Sequence, residues 1–321
     1  MKNFFHVCSL NFKGAGGIKK SIPTLSLHID NLNHCNSYNV FSFKELFFLK
    51  KQRDSYFFIH SSFQLLHLCL VLFVANRKLF WVPRGSLNSS FLSFKKELYI
   101  KLFLKIASLK NLDITMIYLN DNERLQSCLD LRCQIIPNGI EVKKYIIPSL
   151  FERYEKKRIV FLSRFDVHQK GLDRIYDLLL NTNLFLDFEI YMYGASDDSE
   201  LNLVNDMFSE FNNVHCYLSI NSDEIKKVMN NATYHILLSR CEGMPMSCLE
   251  SLSFSVPQLI SDETNILSDI IENNCGFDYL NIPYDKLSDI KFSDYEVMCN
   301  NSLMLSCKYD WHIIAEKFSK L

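Results

Sequence analysis

One stretch, Ser239–Asp262 with the sequence SRCEGMPMSCLESLSFSVPQLISD, constrains the fold more than any other. It reads as strand end, tight loop, helix, turn and strand. His235–Ser239 is apolar and β-like and halts at Arg240-Cys241-Glu242-Gly243. Pro245 stands near a helix start, where a missing N–H costs nothing. Met246, Leu249, Leu252 and Ser253 share one helix face, and Val256–Ile260 is a second short strand. Two carboxylates stand out, Glu242 in the loop and Glu250 on the helix. A helix N-terminus offers free N–H groups and partial positive charge, which suits a phosphate. Carboxylates beside such a site grip sugar hydroxyls. A loop with both kinds of partner suits a nucleotide sugar; the alternative is a buried αβ unit with two surface glutamates.

At 321 residues, 48% of them hydrophobic, the chain can form two α/β domains with real cores. Eleven cysteines without a C-x-x-C pair point to reduced thiols in a cytosolic setting. The first residues lack a signal-peptide layout, and the apolar run Leu65–Ala75 is too short to span a bilayer. Net charge is −1 but unevenly spread: residues 1–150 hold 20 Lys/Arg against 9 Asp/Glu, residues 151–321 hold 15 against 27. No nucleic-acid motif accompanies the basic half, so an anionic membrane surface is its expected partner. The alternative is attraction between two oppositely charged domains.

Along the first half, Phe4–Leu10 reads as a strand entering a glycine-rich loop with Gly14, Gly16 and Gly17. It is not a G-x-G-x-x-G fingerprint. Tyr38–Phe43 and Tyr56–His60 read as further strands with a short connection at Lys44–Ser55. His60 ends its strand, where parallel sheets hold ligands; a structural histidine is the other reading. Ser62–Asn76 is an expected buried helix and Leu79–Val82 a strand, followed by Pro83-Arg84-Gly85-Ser86-Leu87. Arg84 can hold a phosphate or carboxylate. The expected helix Phe91–Leu109 sets Lys95, Lys96, Lys101 and Lys105 among aromatics, a membrane-like face or a solvated one over a core. After the strand Ile114–Leu119, Asn120 and Glu123 have capping-box spacing. Pro137-Asn138-Gly139-Ile140-Glu141 closes the half, and a linker is expected at Lys143–Tyr154. In the second half, Arg158–Leu162, Phe188–Tyr193 and Val214–Leu218 read as strands, Leu172–Leu180 as a helix, and Asn221 with Glu224 as a cap. Arg164 and Lys170 flank the loop after the first of these strands and set two cations at its ends.

Together these motifs resemble the GT4-type retaining glycosyltransferases. The resemblance rests on Ser239-Arg240-Cys241-Glu242-Gly243-Met244-Pro245, Glu250 and Ser255-Val256-Pro257. It also rests on Pro137-Asn138-Gly139, on Arg164 with Lys170-Gly171, and on Tyr309-Asp310-Trp311. Ser163 stands where the family usually has Gly, Arg84 where some members have a catalytic His, and Glu263-Thr264 where many have a Gly-rich loop. The Thr264-Asn265 ending occurs in capsule- and O-antigen-type members.

The resemblance implies an α/β chain of GT-B architecture: two facing Rossmann-like domains with mostly parallel sheets and an interdomain cleft. Residues 1–145 would form a trimmed acceptor-side domain, residues 155–305 the nucleotide-sugar domain, and residues 306–321 a helix packing back on the first. Arg164 and Lys170 would hold the donor diphosphate with backbone N–H groups around Gly243, Met244, Pro245 and Met246. Glu250 would bind ribose hydroxyls, and Glu242 the donor sugar. Gly16, Gly17, His60 and Arg84 would lie on the acceptor side. No metal and no cofactor are expected. The implied reaction transfers a sugar with retention from a nucleoside diphosphate to a glycan or lipid-linked acceptor, in cell-surface polysaccharide synthesis, on the cytoplasmic face of a membrane. A nucleotide-sugar epimerase or glycan phosphorylase, and a non-catalytic partner subunit of a synthesis complex, stand beside it as alternatives.

Overall fold

The computed structural model describes residues 2–9, 16–32, 35–49, 55–142 and 149–321, apart from the side chains of residues 16, 47–49 and 91. Residues 10–15 of the glycine-rich loop and 143–148 of the expected linker lie outside that description. The chain divides into two compact units, Met1–Gly139 with Asp310–Leu321, and Ile140–Tyr309. The crossings therefore fall at 139/140 and 309/310.

Unit 1 alternates strand and helix: β1 Lys2–Val7, α1 Gly16–Asp30, β2 Cys35–Val40, α2 Phe43–Leu49, β3 Ser55–His60 and α3 Leu65–Phe73. It continues with β4 Lys78–Val82, α4 Phe94–Leu109, β5 Asp113–Tyr118, α5 Asp121–Gln126 and β6 Cys133–Ile135. Among the described residues the strands form one parallel sheet in the order β2-β1-β3-β4-β5-β6. Such sheets are covered on both faces, which explains the near-continuous apolar runs of β3 and β4. Phe5, Phe57, Leu79 and Trp81 point to one face, under Leu66 and Leu70 of α3 and Ile100 and Phe103 of α4. Their neighbours Phe4, Phe58 and Phe80 point to the other, against Leu25 and Ile29 of α1.

Unit 2 runs α6 Leu150–Lys156, β7 Arg158–Leu162, α7 Leu172–Asn181, β8 Glu189–Ala195, α8 Asp198–Met207 and β9 Val214–Leu218. Then come α9 Ser222–Met229, β10 Tyr234–Leu237, α10 Met246–Ser253, β11 Gln258–Ile260, α11 Leu267–Glu272, β12 Gly276–Asp278 and α12 Phe292–Cys307. Its parallel sheet has the order β12-β11-β10-β7-β8-β9. The last helix, α13 Trp311–Ser319, returns to unit 1 and packs Trp311, Ile314 and Phe318 against Phe4, Phe58 and Phe80.

Three expectations change. The supposed linker holds α6, capped by Ser149, so residues 150–154 are an ordered part of unit 2. Arg153 of α6 is fully buried and donates to the carbonyls of Ala232, Phe254 and Ser255 at 2.9–3.1 Å. The connection after β2 carries α2. The helix expected from Phe91 begins at Phe94, because Asn88 caps a separate 3-10 turn at Ser89–Phe91 through Ser90 N–H.

Candidate active site

In open parallel sheets, ligands bind beyond the carboxyl ends of the strands where the strand order reverses. In unit 2 that point lies between β7 and β10, which pair directly though 71 residues separate their ends and starts. The loops after these two strands carry Arg164, Lys170 and Glu242. Gly171, with φ 71°, makes their close approach feasible: a Cβ there would lie 2.0 Å from Leu238 O. Arg240 ties the loops further. Its N–H donates to Gln169 O at 2.9 Å, and its guanidinium reaches His168 O and Asp173 Oδ1, both at 2.7 Å.

This approach pairs Lys170 Nζ with Glu242 Oε1 in an ion pair whose side chains are only 10% and 12% exposed. Ser239 Oγ donates to the same carboxylate oxygen at 3.0 Å, and Asn265 Nδ2 to Glu242 O at 2.5 Å. Glu242 N–H donates to Glu263 O at 3.1 Å. Glu263 is in turn gripped by Arg174 through two bonds, at 2.8 and 3.2 Å. Glu263, a departure from the usual glycine, thus anchors the Glu242 loop. Asn265, in the left-handed region at φ 62°, fixes it from the other side. In the sequence, only the Thr264-Asn265 ending hints at this anchoring.

The other expected donor-side residues fall around this pair. Gly243, Met244 and Pro245 are buried, Met246 is half-buried as the first residue of α10, and Glu250 lies buried on that helix. Pro245 at the start of α10 makes no side-chain cap bond, and among the described residues no side chain caps that end, which leaves its first N–H groups to a ligand oxygen. Arg164 is exposed, with its guanidinium 3.3 Å from Gln169 Oε1. Ser163 is accommodated because its φ stays out of the left-handed region. The tightness is taken up by Gly194 of β8, where a Cβ would lie 1.7 Å from Ser163 O.

In unit 1 the strand order reverses between β1 and β3. There His6 Nδ1 and His60 Nε2 lie 2.9 Å apart, both fully buried, so His60 meets another imidazole and not solvent. Burial holds His60 well below the usual histidine range and His6 at about 3, with the nearby Arg84 charge adding to both. Arg84 takes a left-handed φ of 53° and donates from Nη1 to Asn138 Oδ1 at 2.6 Å, while its buried Nε has no partner among the described residues. The Pro-Asn-Gly turn therefore positions the arginine; the sequence reading had treated the two separately. Gly139 of that turn lies under Trp311, where a Cβ would sit 2.2 Å from the ring. Glu123 accepts from Leu119 N–H at 2.6 Å and from Gly85 N–H, fixing the loop after β4. Gly16 and Gly17 open α1.

Two Rossmann-like units with all-parallel six-stranded sheets among the described residues define a GT-B glycosyltransferase fold. Residues 143–278 match the glycosyl transferases group 1 family of retaining glycosyltransferases. Among solved structures, HepE from Anabaena, in complex with UDP and glucose, is 12% identical with a TM-score of 0.74, covering 100% of this chain and 99% of its own. Sucrose-phosphate synthase from Thermosynechococcus elongatus is also 12% identical at 0.74, covering 100% and 98%. The lipopolysaccharide outer core galactosyltransferase WaaB is 15% identical at 0.65, covering 100% of both chains. No curated protein sequence matches the chain significantly.

Proposed function

We propose that the protein transfers a sugar from a UDP-sugar to a glycan or lipid-linked acceptor during cell-surface polysaccharide synthesis, with the basic half working at an anionic membrane. The observation that carries this reading is the buried Lys170–Glu242 pair at the β7/β10 reversal, beside the uncapped start of α10. The α10 N–H groups, Lys170 and Arg164 would receive the diphosphate and stabilise the charge that gathers on it as it leaves. Glu250 would take the ribose hydroxyls. Glu242, freed from Lys170 as phosphate arrives, would bond the donor sugar and steady positive charge at its anomeric carbon. In unit 1, Arg84 would meet an anionic group of the acceptor through donors that Asn138 does not use. UDP is favoured because HepE was solved with UDP and glucose, and the surface-glycan setting because WaaB is a lipopolysaccharide galactosyltransferase.

Calorimetric titration with UDP and GDP tests the donor half. UDP should bind, and Lys170→Ala should lower turnover on the order of 10²-fold. Absence of binding by either nucleotide, or full activity in Lys170→Ala, would overturn the reading.

A further inference from the structure

We infer that unit 2 carries a second ligand site, for the anionic sugar of an acidic glycan, on the sheet face beside α9. The inference rests on the reading of the chain as a glycan-building enzyme and on none of its donor residues. Its origin is the sheet topology. From β7 to β8 to β9 the two crossovers carry α7 and α8, ten residues each, and place both on one face. The return from β9 to β10 brings only the eight-residue α9, roughly 12 Å long, to the other face of these strands. Val160, Met229 and Ala232 close the core there. Ile225 and Val228 of α9 pack on that core beside Tyr191 and Tyr193, all four only partly buried. Tyr217 on the edge strand β9 is 41% exposed, and its ring stacks on Tyr193 at 5.0 Å. Between β7, β8 and α9 this leaves a hollow of about 190 Å³, walled by Val160, Tyr191 and Tyr193.

Charge selects the ligand. Residues 151–321 are acidic, with 15 Lys/Arg against 27 Asp/Glu. Yet five of those cations, Lys156, Lys157, Arg158, Lys226 and Lys227, fall in two short segments that meet at this hollow. Arg158 and Lys227 line it. The Arg158 guanidinium lies over the Tyr191 ring at 5.2 Å, a contact that steadies it. Glu189, its neighbour in the sheet register, bonds His215 Nε2 at 2.6 Å. Lys226 pairs with Asp223 at 3.0 Å, but among the described residues no acid pairs with Arg158 or Lys227. Asn231 fixes the frame: its Oδ1 accepts from Lys156 Nζ at 2.5 Å, and its Nδ2 donates to Lys227 O at 2.7 Å. Two unpaired cations suit a carboxylate or a phosphate. Electron-rich aromatic rings attract the polarised C–H groups of a sugar ring. The hydroxyls of Tyr191, Tyr193 and Tyr217, without hydrogen bonds among the described residues, are left for its hydroxyls. The hollow is smaller than the roughly 300 Å³ at which drug-sized sites begin, so it takes one ring, and Tyr217 extends the surface for the next. Arg158 opens β7 and Arg164 follows its end, roughly 20 Å on, so the hollow is separate from the donor loops.

Calorimetric titration of the full chain in saturating UDP tests this. The probes are hyaluronan hexasaccharide and glucose 6-phosphate, their neutral counterparts maltohexaose and glucose, and inorganic phosphate. At least one anionic sugar should bind, about tenfold or more tighter than its neutral counterpart; which one binds better separates a carboxylate site from a phosphate site. Arg158→Gln/Lys227→Gln should weaken that binding about tenfold or more, since both charge-assisted bonds are lost. Lys227→Glu changes one exposed side chain and should weaken it about as much, with UDP affinity and the circular-dichroism midpoint at wild-type values. Absence of binding by both anionic sugars, equal binding of the neutral ones, or full binding by Lys227→Glu would overturn the proposal. Inorganic phosphate bound as tightly as the anionic sugars would overturn it too, because the hollow would then hold a bare anion. A chain that binds an anionic sugar, loses it in Lys227→Glu, and binds no UDP would instead sink the donor reading and leave this site intact.

Discussion

Lys170 and Glu242 neutralise each other where each side chain keeps only about a tenth of its surface. A phosphate that reaches Lys170 must therefore displace or share it, and Glu242 sets the cost. Glu242→Gln removes the competing charge while keeping the size of the side chain. It should tighten UDP about tenfold, equivalent to about 1.4 kcal/mol. It should also cut sugar transfer on the order of 10²-fold, because the group that steadies the anomeric carbon is gone. Calorimetry and turnover measured on one preparation check the opposite signs; a variant that weakens UDP would mean Glu242 positions Lys170 and does not restrain it. Both residues were legible in the sequence as motif positions, but their pairing was not. They are 72 positions apart, and only the β7–β10 adjacency joins them. Arg84 and Asn138, 54 apart, were hidden for the same reason.

Elements with regular periodicity were readable, and short ones with a polar buried residue were not. Arg158–Leu162 and Val214–Leu218 match their strands to the residue, and Asn221 with Glu224 forms the expected capping box on α9. The seven-residue α6 reads as linker in the sequence because its buried side chain is an arginine, which no hydrophobic pattern reveals. That arginine ties the loops before β10 and before β11 to the start of unit 2. Arg153→Ala would leave buried carbonyls without donors, at roughly 1–3 kcal/mol for each such group. Urea unfolding followed by circular dichroism should show unit 2 destabilised by about 3 kcal/mol or more. A loss under about 0.5 kcal/mol, typical of surface substitutions, would show that water replaces the guanidinium.

The whole molecule contains two units of unequal sensitivity to acid. Burial lowers His6 to about 3 and His67 to about 4, and His60 well below its ordinary value, all in unit 1. In unit 2, His235 is lowered to about 4. These groups are neutral when folded and gain protons when unfolded, so their stabilisation is complete above about pH 6.5 and is lost as pH falls toward their folded values. Each forfeits about 1.4 kcal/mol by pH 5.5. Glu123, pushed up to about 7 by burial, acts oppositely and offsets part of the loss in unit 1. Unit 1 should still lose more stability than unit 2 on acidification. Both tryptophans of the chain, Trp81 and Trp311, belong to that unit, so their fluorescence follows it alone. The fluorescence midpoint should drop faster between pH 7 and 5 than the circular-dichroism midpoint; coincident midpoints would refute the difference. The placement of α13 has a further consequence, for the order of events at the ribosome. Residues 140–309 are contiguous and can fold as soon as they emerge. Residues 1–139 are made earlier, yet Phe4, Phe58 and Phe80 stay uncovered on one side until Trp311–Ser319 is synthesised. The half made first is finished last, and through that interval its bare aromatic face is open to chaperones.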